Sequence, residues 1–133
     1  MTGTGAVRRV LFPSALAIAI AVSACACATE AIQPGTAREV TGFRINPFEL
    51  HEECMPMGPG DRLVYRFTAQ RPVAFNIHYH EGKTVIMPVS RDETTAEDDT
   101  FRPLAAHDYC LMWEAGREGA IVDYRILLTR GTR

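Results

Sequence analysis

The chain has little positive charge of the kind that binds nucleic acid. Lys83 is its single lysine, the other basic residues are arginines scattered among acids, and the formal net charge at pH 7 is −2. A basic patch or stripe, which marks proteins that follow a phosphate backbone, is therefore absent from the sequence. We expect no nucleic-acid partner.

The sequence also lacks the motifs of several catalytic and ion-binding sites. It has no glycine-rich phosphate loop or dinucleotide fingerprint. The acidic segment 91–99 lacks the central glycine and terminal glutamate of an EF-hand loop. Ser90 has no glycine-flanked elbow, and Glu52 and Glu53 are adjacent, so they point to opposite sides of an extended chain. We expect no catalytic residues, and hence a protein that is not an enzyme.

The one long apolar run, Val10 to Ala24, is too short to be a spanning helix. It has 15 residues and contains Pro13, whereas a membrane-spanning helix needs about 18 or more. Arg8 and Arg9 precede the run and small residues follow it. This order is typical of a secretory signal peptide, which we assign to residues 1–24.

The end of the signal contains a candidate lipidation site. The tetrapeptide Val22 to Cys25 resembles the lipobox of bacterial lipoproteins, which implies that Cys25 is lipidated and anchors the protein to a membrane. The alternative is ordinary signal cleavage next to Cys25 or Cys27 and a soluble secreted product. Residues 25–41 then form the anchor cysteine and a tether. We expect an exported protein on the periplasmic or cell-surface side of a bacterial membrane.

Residues 42–133 are expected to form one all-β domain. Apolar and polar residues alternate in most of its segments, which indicates strands. Turn signals separate the segments at 58–61, 70–72, 81–83 and 116–119. The expected strands lie at 44–50, 62–67, 73–80, 85–87, 109–113 and 122–128. Several short strands at close spacing predict an antiparallel β-sandwich. Arg91 to Asp99 is expected to be an acidic solvated loop, and it is the one segment with room for a helical turn.

Two cysteines lie inside this domain. An exported chain with an even cysteine count favours a disulfide between Cys54 and Cys110. The alternative is that Cys110 is a free thiolate ligand for a soft metal, but a thiol in an oxidising space needs protection.

The segment Phe75 to Gly82 concentrates the polar chemistry of the domain. Phe75, Ile77 and Tyr79 occupy one phase of the alternation, and His78 and His80 occupy the other. Two histidines two residues apart on a strand point the same way, about 6.6 to 7 Å apart. We expect the apolar phase to face the core and the histidines to lie on the surface, where substitutions barely affect stability.

A metal site at these histidines is the alternative to a simple solvated face. If the strands of His80 and Met112 are neighbours, imidazole and thioether groups meet, a combination suited to copper, with zinc as the other candidate. His107 or His51 is the candidate for a third nitrogen. The competing interpretation is that the histidines are solvated or bonded to Asn76 and Glu81, which would then be ligand-facing residues without a metal.

The order of short motifs resembles a known family. The segments HEEC (51–54), LVYRF (63–67), VAFNIHYHEG (73–82), YCLMW (109–113) and VDYRILL (122–128) resemble the GOLD domain over roughly residues 46–130. That module occurs in cargo receptors of the early secretory pathway and in some lipid-transfer proteins. The resemblance implies a β-sandwich of jelly-roll type, a disulfide at the places of Cys54 and Cys110, and a role in recognition without catalysis.

The signal is of bacterial type, so the trafficking role of that family is not transferred. The leading hypothesis from the sequence is a non-catalytic envelope lipoprotein that binds an unidentified envelope protein or small ligand and needs no cofactor. The alternative is a periplasmic protein that binds copper or zinc through His78 and His80.

Overall fold

The computed structural model describes Met1 and residues 30–132, in which all regular structure is β. Among these residues no helix is long and apolar enough to cross a membrane. The expected all-β class is therefore confirmed. The six strands are β1 (Arg38–Ile45), β2 (Leu50–Met57), β3 (Arg62–Glu81), β4 (Thr84–Phe101), β5 (His107–Ala115) and β6 (Ala120–Thr129).

The strands form one curled antiparallel sheet built around β3. The order is β1-β6-β3-β5-β2, and β4 pairs with the other edge of β3. β6 pairs only with residues 62–69 of β3, whereas β5 pairs with residues 73–78. We call β1, β6 and the adjoining parts of β3 and β4 the first arm, and β2, β5 and the remaining parts of β3 and β4 the second arm.

The core lies where the inward-facing side chains of the two arms meet. Trp113 of β5 stacks on Tyr124 of β6, with ring centroids 4.8 Å apart. Phe75 and Ile77 are 1% and 0% exposed, which confirms their inward phase, and Tyr79 is half-buried against the same core. The other large buried side chains are Leu63, Tyr65, Phe67, Val73, Leu111, Val122, Ile126 and Leu128.

Two expectations about the middle of the chain are wrong. The acidic segment 91–99 is neither a solvated loop nor a helical turn but part of β4, because each of its ends pairs with β3. The segment 70–72 does not separate two strands: β3 is continuous, and only its pairing register with β4 shifts between Thr68 and Val73. Pro72 is tolerated there because it lies at an irregularity of the ladder. The turns at 58–61, 81–83 and 116–119 do connect strands as expected.

The β structure also begins earlier than expected. β1 runs from Arg38 to Ile45, and residues 46–49 form a turn before β2 begins at Leu50, so the expected single strand 44–50 is wrong. Ile32 is buried in the core, and the backbone N–H of Gly35 donates to the carbonyl of Leu128 at 2.8 Å. Residues 32–41 therefore pack on the sheet and are not a free tether. The signal sequence after Met1 and the anchor at Cys25 lie outside the described residues.

Cys54 and Cys110 form the expected disulfide. They are directly opposed in the register of β2 and β5. The bridge therefore links two neighbouring strands of the second arm on its outer face, because Cys54 is exposed while Glu53 and Met55 on either side of it are buried. Cys110 is consequently not a free thiolate ligand in this structure.

Candidate functional sites on the two outer faces

The outer face of the second arm brings together the histidines and sulfur atoms singled out in the sequence. Strand pairing sets His78 opposite Cys110 and Asn76 opposite Met112. The rings of His78 and His80 lie 5.2 Å apart, centroid to centroid. His78 and His80 therefore lie side by side next to the disulfide, whereas Met112 lies opposite Asn76, one same-face position from His78 and two from His80.

His78 is not a surface residue, which corrects the expectation from the alternation. It is 4% exposed and Asn76 is 5% exposed. Asn76 Oδ1 lies 2.7 Å from His78 Nδ1. Because an amide oxygen only accepts, Nδ1 donates and holds the ring proton, and Nε2 keeps its lone pair.

The environment of His78 favours the neutral ring. Burial lowers the pKa of His78 below its ordinary value, the charge of Glu52 opposes this effect, and His80 adds to it. Glu52 Oε1 lies 3.6 Å from Nε2, which is too far for a hydrogen bond. A neutral imidazole with a fixed tautomer and a free Nε2 is the form that binds a metal.

A complete metal-ligand set is not assembled around these histidines in residues 30–132. The only described group of three histidine, cysteine or carboxylate atoms within 4.8 Å of one another is that of Glu52, Cys54 and Cys110. Its two sulfur atoms are joined in the disulfide and are not thiolates. His78 and His80 therefore have no third ligand from these residue types at that distance.

His107 and His51 lie on the opposite side of the second arm, so the suggestion that either adds a third nitrogen is wrong. His107 stacks on Tyr79 at 4.1 Å between ring centroids, and its Nε2 is 3.6 Å from Glu81 Oε1. His51 Nε2 is 2.9 Å from the hydroxyl of Tyr124. Both residues occupy the inward phase of their strands, and Glu81 likewise belongs to the side of His107.

A buried ionic cluster, which sequence reasoning missed, lies between the arms. Glu53 of β2 is 3% exposed. Its Oε1 accepts a hydrogen bond of 2.5 Å from the hydroxyl of Tyr124 on β6. Arg38 Nε on β1 is 2.7 Å from the same oxygen, as an ion pair without hydrogen-bond alignment. The sequence did contain a sign of this cluster. His51 and Glu53 alternate in phase with the apolar Met55, which places two polar residues on the core side of β2.

The cluster keeps Glu53 ionised. Burial on its own would raise the pKa of Glu53, but His51, Tyr124 and the charge of Arg38 outweigh it and lower the pKa. His51 acts through its proximity, because its Nε2 is 3.7 Å from the carboxylate. Burial and the bond to Glu53 also raise the pKa of Tyr124. This arrangement fastens β2 to β1 and β6.

The outer face of the first arm contains an open groove of about 550 Å³. Segments of four strands line it: residues 39–41, 66–68, 96–98 and 123–125. Phe67 and Tyr124 in these segments are buried in the core. The side chains that face the groove are therefore the outward ones, and most of them are charged or small: Glu39, Thr41, Arg66, Thr68, Ala96, Asp98, Asp123 and Arg125.

Four of these side chains form a row across the strands. Register pairs Glu39 of β1 with Arg125 of β6, Arg125 with Arg66 of β3, and Arg66 with Asp98 of β4. Arg125 Nε donates to Glu39 Oε1 at 2.7 Å. Two arginines thus occupy the middle of the row and one acid lies at each end.

Comparison with known proteins found no protein-family model and no curated protein that matches the chain. The function must therefore be inferred from the geometry of the two outer faces.

Proposed function

We propose that the protein is a non-catalytic, lipid-anchored binding module of the bacterial cell envelope that holds a small ligand in the groove of the first arm. The observation that supports this proposal is the groove itself. Its volume of about 550 Å³ falls in the range of roughly 300 to 1,000 Å³ that is typical of small-molecule sites. Its charged groups come from four paired strands, so a rigid sheet holds them in position.

The finer architecture belongs to the same proposal. We infer that the curled sheet is a β-sandwich of jelly-roll type, similar to the GOLD domain. The pairing of β6 and β5 with different halves of β3 supports two packed layers. Stacking of Trp113 on Tyr124 between the arms is the packing expected between such layers.

Export and anchoring complete the proposal. The disulfide supports an oxidising compartment, and the signal-like segment with Cys25 supports lipidation. Cells that make the protein are grown with a fatty-acid analogue, and incorporation is compared between the wild type and Cys25→Ser. Label on the wild type alone is the expected result. A mature wild-type chain without label, starting after Cys25, would remove the anchor.

Ligand binding in the groove is tested on the whole chain, isotopically labelled and purified from the cells that make it. Amino acids, dipeptides, monosaccharides, nucleotides and dicarboxylates are added singly. We expect at least one class to shift the backbone amide signals of residues 39–41, 66–68, 96–98 and 123–125 in a saturable way. If no class shifts these signals, or if the shifts map to the second arm, the groove is not the binding site.

Metal binding at His78 and His80 is the second candidate function. It is favoured by the hydrogen bond from His78 Nδ1 to Asn76, which fixes the tautomer and leaves Nε2 free. The protein is dialysed against copper or zinc, and retained metal is measured for the wild type, His80→Ala and His107→Ala. Near-stoichiometric retention that His80→Ala removes and His107→Ala preserves would support the metal site. Equal loss in both variants, or no retention, would exclude it.

A further inference from the structure

The centre of the groove contains two positive charges side by side. Arg66 and Arg125 are directly opposed on adjacent strands. Like charges in this position destabilise a sheet unless an anion compensates them. Glu39 compensates Arg125 at 2.7 Å. Arg66 has no ion pair within 4.0 Å and no side-chain hydrogen bond among residues 30–132, so its guanidinium group is available to a ligand.

The guanidinium group of Arg66 suits a carboxylate. It is planar, remains charged, and offers two parallel N–H donors that match the two oxygens of a carboxylate. The neighbouring Arg125 adds a second positive charge across a strand spacing of about 4.8 Å. An anionic group bound between these two strands would also relieve the repulsion between the arginines.

The rim of the groove has the opposite charge. Asp98 is exposed on β4 next to Arg66 and has no ion pair within 4.0 Å among the described residues. Asp123 is exposed on β6, and its Oδ1 accepts a hydrogen bond of 2.6 Å from the backbone N–H of Gly42. That bond fixes the orientation of the carboxylate and leaves Oδ2 for another donor. A positive group on the ligand would therefore find an acid within one strand spacing of the carboxylate site.

We propose that the groove binds a small zwitterion, an amino acid or short peptide whose free carboxylate contacts Arg66 and Arg125 and whose ammonium group contacts Asp98 or Asp123. This inference rests on the proposed function and specifies its ligand class. It also explains why acids flank the arginines: a simple anion would be repelled by Asp98 and Asp123, whereas a zwitterion is attracted by both parts of the surface.

The probe is the dipeptide L-alanyl-L-alanine, compared with its C-terminal amide and its N-acetyl derivative. Binding to the whole chain is followed by the amide signals of residues 66–68, 96–98 and 123–125. We expect the free dipeptide to shift these signals, and each blocked derivative to bind at least tenfold more weakly.

The matched variants lie on the same strand and face. Arg66→Gln removes the free guanidinium group, and binding of the dipeptide should fall at least tenfold. Arg62→Gln is the control, because Arg62 has the same phase on β3 but does not line the groove. Its binding should equal that of the wild type. Circular dichroism melting curves of both variants verify that the fold is intact.

Each other outcome contradicts a defined part of the inference. Equal binding of the dipeptide and its amide would exclude recognition of the carboxylate. If a sugar or nucleotide shifts the groove signals but the dipeptide does not, the ligand class is wrong and the proposed function stands. If no compound shifts them, the groove is not a ligand site and both proposals fail.

Discussion

Inward and outward residues alternate along the strands of both arms, but the outward residues of the two arms differ in exposure to solvent. On the first arm the outward residues Arg66, Thr68 and Asp123 are exposed and line an open groove. On the second arm the outward residues Asn76 and His78 are as buried as the core. The outward phase of a strand is therefore not equivalent to a solvated phase. The exposure of an outward residue depends on the side chains that the neighbouring strands place beside it.

The cause of the difference is the side chains that flank β3. Beside His78 and Asn76 lie Cys110 and the half-buried Met112, and Cys110 is bridged to the next strand. Beside Arg66 lie two more charged residues, the exposed Asp98 and the half-buried Arg125. The second arm has thus become a small packed layer on its outer side, whereas the first arm remains accessible. The following variants test this difference, from the largest expected effect to the smallest.

Removal of the disulfide should have the largest effect. The double variant Cys54→Ser, Cys110→Ser frees a loop with a sequence separation of 56, and we expect a loss of about 4 kcal/mol in the free energy of unfolding on the chain-entropy model. Urea denaturation under non-reducing conditions measures it. A loss below about 1 kcal/mol would mean that the bridge contributes little to the second arm.

Neutralising the buried carboxylate between the arms should come next. Glu53→Gln leaves Arg38 without its counter-charge, and we expect a loss of about 3 kcal/mol, because breaking a buried ion pair is strongly destabilising. Glu52→Gln is the matched control: Glu52 is adjacent, lies on the outer face, and should change stability by no more than about 0.5 kcal/mol.

The stability of the wild type should also depend on pH through Glu53. The folded state lowers the pKa of Glu53. Its contribution to stability is therefore fully present above the ordinary glutamate pKa of about 4.3 and is lost as the pH falls through the lower folded-state value. The Glu53→Gln variant should lack this loss. Parallel acid-unfolding curves for Glu53→Gln and the wild type would show that the cluster does not act through ionisation.

Truncation of the two histidines should separate buried from exposed positions on one strand. We expect His78→Ala to cost about 1 to 3 kcal/mol, because it leaves the buried Asn76 without its partner. His80→Ala should change stability by no more than about 0.5 kcal/mol, since His80 is exposed. Thermal melting compares them, and similar costs would contradict the asymmetry.

Acid should weaken the second arm through His78 before Glu53 protonates. Burial lowers the pKa of His78, so its stabilising contribution is present above about pH 6.5 and is lost as the pH falls through the folded-state value. The stability of His78→Gln should fall less over this interval than that of the wild type.

Removal of a charge from the groove should have the smallest effect on stability. Arg66→Gln is expected to change the free energy of unfolding by no more than about 0.5 kcal/mol, with a slight gain because the repulsion with Arg125 is relieved. If denaturant titration shows a loss above about 1 kcal/mol in the free energy of unfolding, Arg66 stabilises the fold, and the contrast between the two outer faces does not hold.

Local patterns predicted much of the fold. The alternation identified the inward residues of β3, β5 and β6, and turn chemistry located three connections. The acidic part of β4 was missed because its strand structure depends on pairing with β3, since its own composition resembles a solvated loop. The continuity of β3 past Pro72 was also missed, because it too depends on pairing. A proline ends a strand only where its N–H is needed for pairing, and Pro72 lies at an irregularity of the ladder with β4.

The candidate sites were harder to predict than the fold, because they are formed by residues that are far apart in the sequence. The position of His78 and Met112 on one face of the second arm followed from correct strand phases. Glu53 was overlooked because its partner Tyr124 is 71 residues away in the chain, and the groove needed four strands whose order the sequence did not reveal. The sides occupied by His51 and His107 were misjudged because their strand phases were not compared with that of His78.

The topology of the sheet has a consequence for the order of folding. β1 pairs only with β6, the last strand that the structure describes. The first arm therefore cannot close before residues 38–129 have all been synthesised, although domains commonly fold from the N-terminus during synthesis. Such non-local pairing also slows folding. Until β6 is in place, β1 lacks the strand it pairs with and the first arm stays open.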